Sequence, residues 1–238
     1  MFRRSILAAR LVLAVQTRAY FPQIYLAIAV LTVAALRFVI PEEAAFVLLP
    51  IFLVSEQGVV AMVLVAAHIY LERNEGSAAA LAVTPLRSSE YLIALVFGSS
   101  VFACVSGAVI WAGVVGLDMR VAVLMPPLLL LSVFSGLVGV GLTSRFGEFT
   151  SFLMGAMTGT MILSLPFLSY LAVTPRWSFA WLPSDWALNA FAALLPPEPS
   201  LARWCVYSAV LGLFCLAAFT VVLRGYRAHW GLGLGVVS

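Results

Sequence analysis

The sequence predicts an all-α integral membrane protein. Six transmembrane helices follow an N-terminal interfacial helix, with one further short helix in an inner loop and another in the outer leaflet between spans five and six. Three observations predict this. The 238 residues are 63% hydrophobic and 10% charged, with a mean hydropathy of +1.10, whereas soluble domains carry about 25% charged residues. The apolar residues gather into six runs, each long enough to cross a hydrocarbon core that takes about 20 helical residues to span. The arginines fall mostly in alternate connections between those runs. The chain reads as one transmembrane domain over residues 1–238, with no substantial soluble domain.

The first element is residues 1–20. Arg3, Arg4, Arg10 and Arg18 fall within about a third of a helical wheel, the arrangement of a helix lying in the membrane interface. Arg10 interrupts the apolar stretch and no clean small-residue cleavage site follows, which argues against a signal peptide. The six predicted spans are Phe21–Ile40, Ala44–Leu71, Tyr91–Leu117, Val121–Leu142, Phe149–Val173 and Ala202–Leu223. They are uniformly apolar rather than alternating, so barrel strands are excluded. Pro50 and the pair Glu56 and Gln57 interrupt the second run. Two readings of Glu56 therefore stay open: an outer cap on a span that starts late, near Ser55, or an intramembrane carboxylate with a function. Asp118 and Arg120 mark a tight hairpin between spans three and four. Residues 174–201 form an outer loop in which Ser184 and Asp185 start a short helix, with Trp186, Ala190, Ala193 and Leu194 at helical spacing. That helix lies on, or dips into, the outer leaflet.

All 13 basic residues are arginine. Six spans place Arg3, Arg4, Arg10, Arg18, Arg73, Arg87, Arg145, Arg224 and Arg227 on one side and Arg37, Arg120, Arg176 and Arg203 on the other. The positive-inside bias puts both termini in the cytoplasm, and it accounts for a pI near 9.0 without a nucleic-acid partner. Trp111, Trp177, Trp181, Trp186 and Trp204 all fall near the outer side, as an aromatic belt would. Cys104, Cys205 and Cys215 show no metal or CxxC spacing and read as packing residues. A chain without lysine contains no P-loop, so it carries no nucleotide-hydrolysing site of that type. A HExxH pair is missing too, and Val105-Ser106-Gly107 lacks the first glycine and the histidine partner of an intramembrane serine protease.

The inner loop is the most informative segment. It spans residues 72–90 and, with its flanks, reads LERNEGSAAALAVTPLRSSEY. Gly76 can end the second span. Ala78 to Val83 is short, apolar and helix-prone, and Thr84-Pro85 supplies a cap and a pre-set first helical residue. An apolar patch between charged turns marks either a contact surface or a helix folded back on the membrane. Glu75, Gly76, Leu81, Val83, Thr84, Pro85, Leu86, Arg87, Glu90 and Tyr91 match the coupling region of the ABC-2-type exporter permeases, which this chain resembles over nearly its whole length. Leu49, Pro50, Phe52, Leu53, Ser55 and Glu56 resemble the second span of the short fluoroquinolone-export-type subset, and Leu182-Pro183 with Ala187-Leu188 resembles its outer loop.

The resemblance implies a coupling helix, with Glu75, Gly76, Ala79, Leu81, Val83, Thr84, Pro85, Arg87 and Glu90 contacting a separate ABC ATP-binding subunit. ATP and Mg would sit on that partner, and two permease copies would face each other in a bacterial cytoplasmic membrane. The substrates it implies are small amphipathic molecules, with haem or lipid export as the alternative. Glu56 and Gln57 are the candidate substrate-path residues. Gly155 and Gly159 form a GxxxG in span five, while Ser132 with Gly136 and Ser135 with Gly139 do similar work in span four. Packing within the subunit is the expected use of these small residues. The family's permease pair meets chiefly through spans one and five, which makes Gly155 and Gly159 the dimer candidates.

Overall fold

The computed structural model describes residues 12–18, 20–75, 88–175, 177–196 and 199–233. Among these residues every regular element is helical. Helix α1 is Val12–Arg18 and α2 is Phe21–Ala34, which closes in a π-helical turn, Ala35–Val39. There follow α3 (Glu42–Asn74), α4 (Ser88–Val114), α5 (Arg120–Thr143), α6 (Phe149–Ser164), α7 (Pro166–Tyr170), α8 (Pro183–Ala192) and α9 (Leu201–Gly233).

Five segments are long and apolar enough to cross a bilayer: α3, α4, α5, α6 with α7, and α9. The chain is a multi-pass helical membrane protein. The remaining predicted span, Phe21–Ile40, is shorter than expected. Its α-helix has 14 residues and ends in the five-residue π turn, and Ile40 is already extended ahead of Pro41. It reaches a crossing length only together with α1, whose axis is bent by 71° from it. A sixth crossing is therefore not established by helix length.

Pro50 does not delay the second span. Helix α3 is continuous over 33 residues, about 50 Å at 1.5 Å per residue. It opens after Pro41 with Glu42 and Glu43 in its first turn, where acidic side chains complement the helix dipole. Buried Pro50 forfeits one backbone bond but is packed on neighbouring helices, the setting in which intramembrane proline is tolerated. Span five is broken instead, at Leu165–Pro166, since Pro166 has no N–H to continue the ladder.

Hydrogen bonds identify two ends of the bundle. At one, Arg73 donates to the Thr143 carbonyl at 3.3 Å and Tyr70 to the Phe146 carbonyl at 2.7 Å. At the other, Arg37 donates to the Gly113 carbonyl at 2.8 Å. Helices α3, α4 and α5 form the centre of the bundle, while α6 and α9 stay mostly exposed. Close approach at the centre depends on small residues. A Cβ added to Gly139 would lie 2.7 Å from the Met62 carbonyl oxygen, and one at Gly136 would meet Val65 and Val96. The span-four motifs thus serve packing within the chain.

The periphery changes one expectation and decides between the two readings of another. Trp111 is no belt residue: it is fully buried among Leu49, Leu124 and Leu128, together with Leu188 and Phe191 of α8. Of the two readings of the outer-loop helix, on the surface or dipping inward, α8 takes the second. Ser184, Asp185, Ala187, Leu188, Ala190 and Phe191 are buried, so the short helix is inserted into the bundle at the Arg37 end. Trp177 and Trp181 are exposed, as belt residues would be. At the other end Val12 of α1 is buried beside Leu92 and Leu95 and Gln16 donates to Ser99 at 2.7 Å; residues 1–11 of the expected interfacial helix lie outside the described residues.

Candidate functional site

A wide concavity lies between α3 and α6. The two helices touch near the Arg73 end, where Met62, Ala66 and Tyr70 meet Phe152 and Ala156. From there towards α7 they part, leaving a groove of about 770 Å³ walled by Val59, Met62 and Val63 on one side and Met157, Met161 and Leu165 on the other. That volume is within the range of sites for drug-sized ligands. None of the residues that line it is charged. Met154, Met157 and Met161 are all about two-thirds or more exposed on one face of α6, and methionine's flexible thioether adapts to ligands of irregular shape.

Glu56 is mid-helix rather than a cap. It is the fifteenth residue of α3, about 20 Å along the axis from Glu42. It stands one turn from Leu53 and one from Val60, both fully buried, and so interrupts an apolar seam. Leu53 packs with Ala29 of α2 and Ile110 of α4, and Val60 packs with Ala103 of α4. Both carboxylate oxygens are buried without a hydrogen-bond partner. The Ser106 hydroxyl stands beside it and also lies 2.9 Å from the Ala103 carbonyl, so its single proton serves one acceptor or the other. Glu56 does not line the α3–α6 groove.

Gln57 is used within the bundle. Its side-chain amide donates to the Ala103 carbonyl at 2.7 Å and accepts from the Ser132 hydroxyl at 2.6 Å, tying α3 to α4 and α5. Gly107 makes room for it, since a Cβ there would stand 2.6 Å from the amide nitrogen. The sequence pair Glu56–Gln57 thus divides into one buried carboxylate that ties no helices together and one amide that bridges α3 to α4 and α5.

Of the inner-loop candidates, Gly76, Ala79, Leu81, Val83, Thr84, Pro85 and Arg87 lie outside the described residues. Glu75 caps the C-terminus of α3 and is exposed; Glu90 is buried in the first turn of α4. The two helix ends that carry the loop are tied together. Glu72 on α3 lies 3.2 Å from the His68 Nε2 atom and accepts a hydrogen bond from the Tyr91 hydroxyl on α4. Arg73, one residue on, stacks over the Tyr70 ring. Sequence reasoning missed this tie because Glu72 and Tyr91 are joined only through the fold.

The GxxxG of span five also divides. Gly155 faces the Phe146 ring, whereas a Cβ on Gly159 would meet nothing within 4 Å. Gly159 is thus free of any packing role among the described residues. The α3–α6 groove was legible in neither run separately; its only sequence trace is the Met154, Met157, Met161 spacing on one helical face.

No protein-family model matches the chain, and no curated protein matches it significantly.

Proposed function

We propose that this chain is the membrane permease subunit of an ATP-driven exporter of small amphipathic molecules. The observation that carries the proposal is the 72–90 segment. Its sequence resembles the coupling loop of ABC-2-type permeases, and its two stems are cross-tied by Glu72 and Tyr91. A push on the loop therefore reaches α3 and α4 together rather than bending one helix end. The α3–α6 groove supplies a place of suitable size and apolarity for a substrate. On this reading six spans hold both termini in the cytoplasm of a bacterial inner membrane. A second permease copy completes the path, and ATP and Mg bind a separate ABC subunit.

The test is efflux in whole cells of the native host. Deleting the chain should raise sensitivity to amphipathic compounds, and the wild-type chain should restore resistance. A Glu75→Ala, Gly76→Ala double variant present at the same membrane level should not restore it. Full restoration by that variant contradicts a coupling role for the loop.

A second reading is favoured by Glu56. A buried, unpartnered carboxylate halfway along a membrane helix is what a proton-coupled transporter requires. That reading predicts uptake or efflux that follows an imposed proton gradient in vesicles containing this chain alone.

A further inference from the structure

Behind the α3–α6 groove, towards the Arg37 end, lies a second, much smaller void. Its volume of about 10 Å³ holds roughly one water-sized group. Ser55 of α3, Ser135 of α5, Thr160 and Ser164 of α6, and Ser184 of α8 all border it. Thr160 and Ser164 also line the open groove, so the two spaces adjoin at these two side chains.

The hydroxyls fall into two sets. Ser55, Thr160 and Ser164 each donate to a carbonyl of their own helix, at 2.8 Å in every case. They have spent their proton and retain lone pairs. Ser135 and Ser184 are both at least 99% buried, yet neither oxygen has a hydrogen-bond partner. A buried hydroxyl left unpaired is unfavourable, and two facing one void call for an occupant that accepts from them. An oxygen that accepts from both Ser135 and Ser184 satisfies that pair, and a hydroxyl oxygen can in addition donate to one of the spent hydroxyls. An acyl chain offers no such atom. No charged residue lines either space, so nothing there compensates an ionic headgroup.

We propose that groove and void form one binding site for an uncharged amphipathic molecule, its apolar body against Met157 and Met161 and its hydroxyl or carbonyl oxygen between Ser135 and Ser184. This deepens the exporter reading by naming the substrate class: neutral amphiphiles with a terminal hydrogen-bonding group. The site is built by this chain's own residues, so its test needs no ATPase subunit. Failure of the site and failure of the exporter reading are therefore seen separately.

The test is photolabelling of the purified full-length chain in lipid nanodiscs with three diazirine probes of equal chain length: an alkane, a primary alcohol and a carboxylic acid. Peptide mass spectrometry reads the labelled residues. The alcohol should label α6 and the facing part of α3 at about tenfold lower concentration than the alkane or the acid, the factor that one net hydrogen bond gives. The Ser135→Ala, Ser184→Ala double variant should abolish that preference while alkane labelling persists, which also shows that the variant keeps its groove. Equal labelling by alkane and alcohol in the wild-type chain would mean a groove filled by lipid chains and would overturn the proposal. A preference for the acid, or an alcohol preference that survives the double variant, would overturn it as well.

Discussion

Alanine substitution of three glycines separates packing inside the chain from surfaces left for a partner. At Gly139 a new Cβ would stand 2.7 Å from the Met62 carbonyl oxygen and 3.2 Å from its Cα. Both are backbone atoms, so relief requires α3 and α5 to move apart. Overpacking of this kind costs about 1–3 kcal/mol, against which replacing a helical glycine returns about 0.5–1 kcal/mol. The net expectation for Gly139→Ala is a loss of about 1–2 kcal/mol. At Gly136 the neighbours are the Val65 and Val96 side-chain methyls at 3.2–3.3 Å. They can yield by a few tenths of an ångström, so the two terms nearly cancel. At Gly159 nothing opposes the methyl group, and Gly159→Ala should gain about 0.5–1 kcal/mol. Each kcal/mol corresponds to roughly 2–4 °C in a chain of this size. Thermal unfolding of the three purified variants in one detergent, followed by tryptophan fluorescence, should rank them Gly159→Ala above Gly136→Ala above Gly139→Ala. A Gly139→Ala chain as stable as Gly159→Ala would refute the close α3–α5 contact. The same samples report on pairing: if Gly159 meets a second copy of the chain, its alanine variant loses dimer in cross-linking while its Tm is unchanged or raised.

Further predictions concern polar groups. Gln57→Leu should lower Tm only modestly, by the equivalent of about 1 kcal/mol for two intramembrane bonds. Ser132 can turn its single proton to the Leu128 carbonyl, and the Ala103 carbonyl can still accept from Ser106; a loss above about 4 kcal/mol would show that more depends on the amide than these two bonds. Glu56→Leu should raise Tm, because it removes a buried carboxylate that has no hydrogen bond; a fall would reveal a structural partner for Glu56. Tyr91→Phe should leave the bundle folded but lower Tm by the equivalent of about 1.5–3 kcal/mol, the worth of a hydrogen bond to a charged group. It should also speed hydrogen exchange at the α3 and α4 ends, and unchanged exchange there would contradict the stem tie.

Much of the architecture was legible because hydropathy is a property of each segment taken alone. Spans two to five follow the apolar runs to within a few residues of the helices observed, and the sixth starts within one residue of its run but continues as helix ten residues past Leu223. What failed depended on neighbours. Pro50 reads as a breaker in isolation, but α3 continues through it because other helices pack against that turn. Trp111 reads as a belt residue by depth, but the insertion of α8 covers it. Phe21–Ile40 is apolar enough to span, yet its helix ends in a π turn before Pro41, which run length alone does not reveal. The site was less legible still. Glu56 was visible as an oddity, whereas the groove joins residues about a hundred positions apart. Ser135 and Ser184 come from different helices, and each taken separately resembles ordinary small-residue packing or a helix start.

The most direct test of the exporter account is co-purification. The tagged chain, extracted from its native host in a mild detergent, should bring down a stoichiometric ABC ATP-binding subunit identifiable by mass spectrometry. That subunit should be lost when residues 79–83 are replaced by a polar linker while the chain still inserts in the membrane. Recovery of the chain without any ATP-binding partner, across several detergents, would contradict the account.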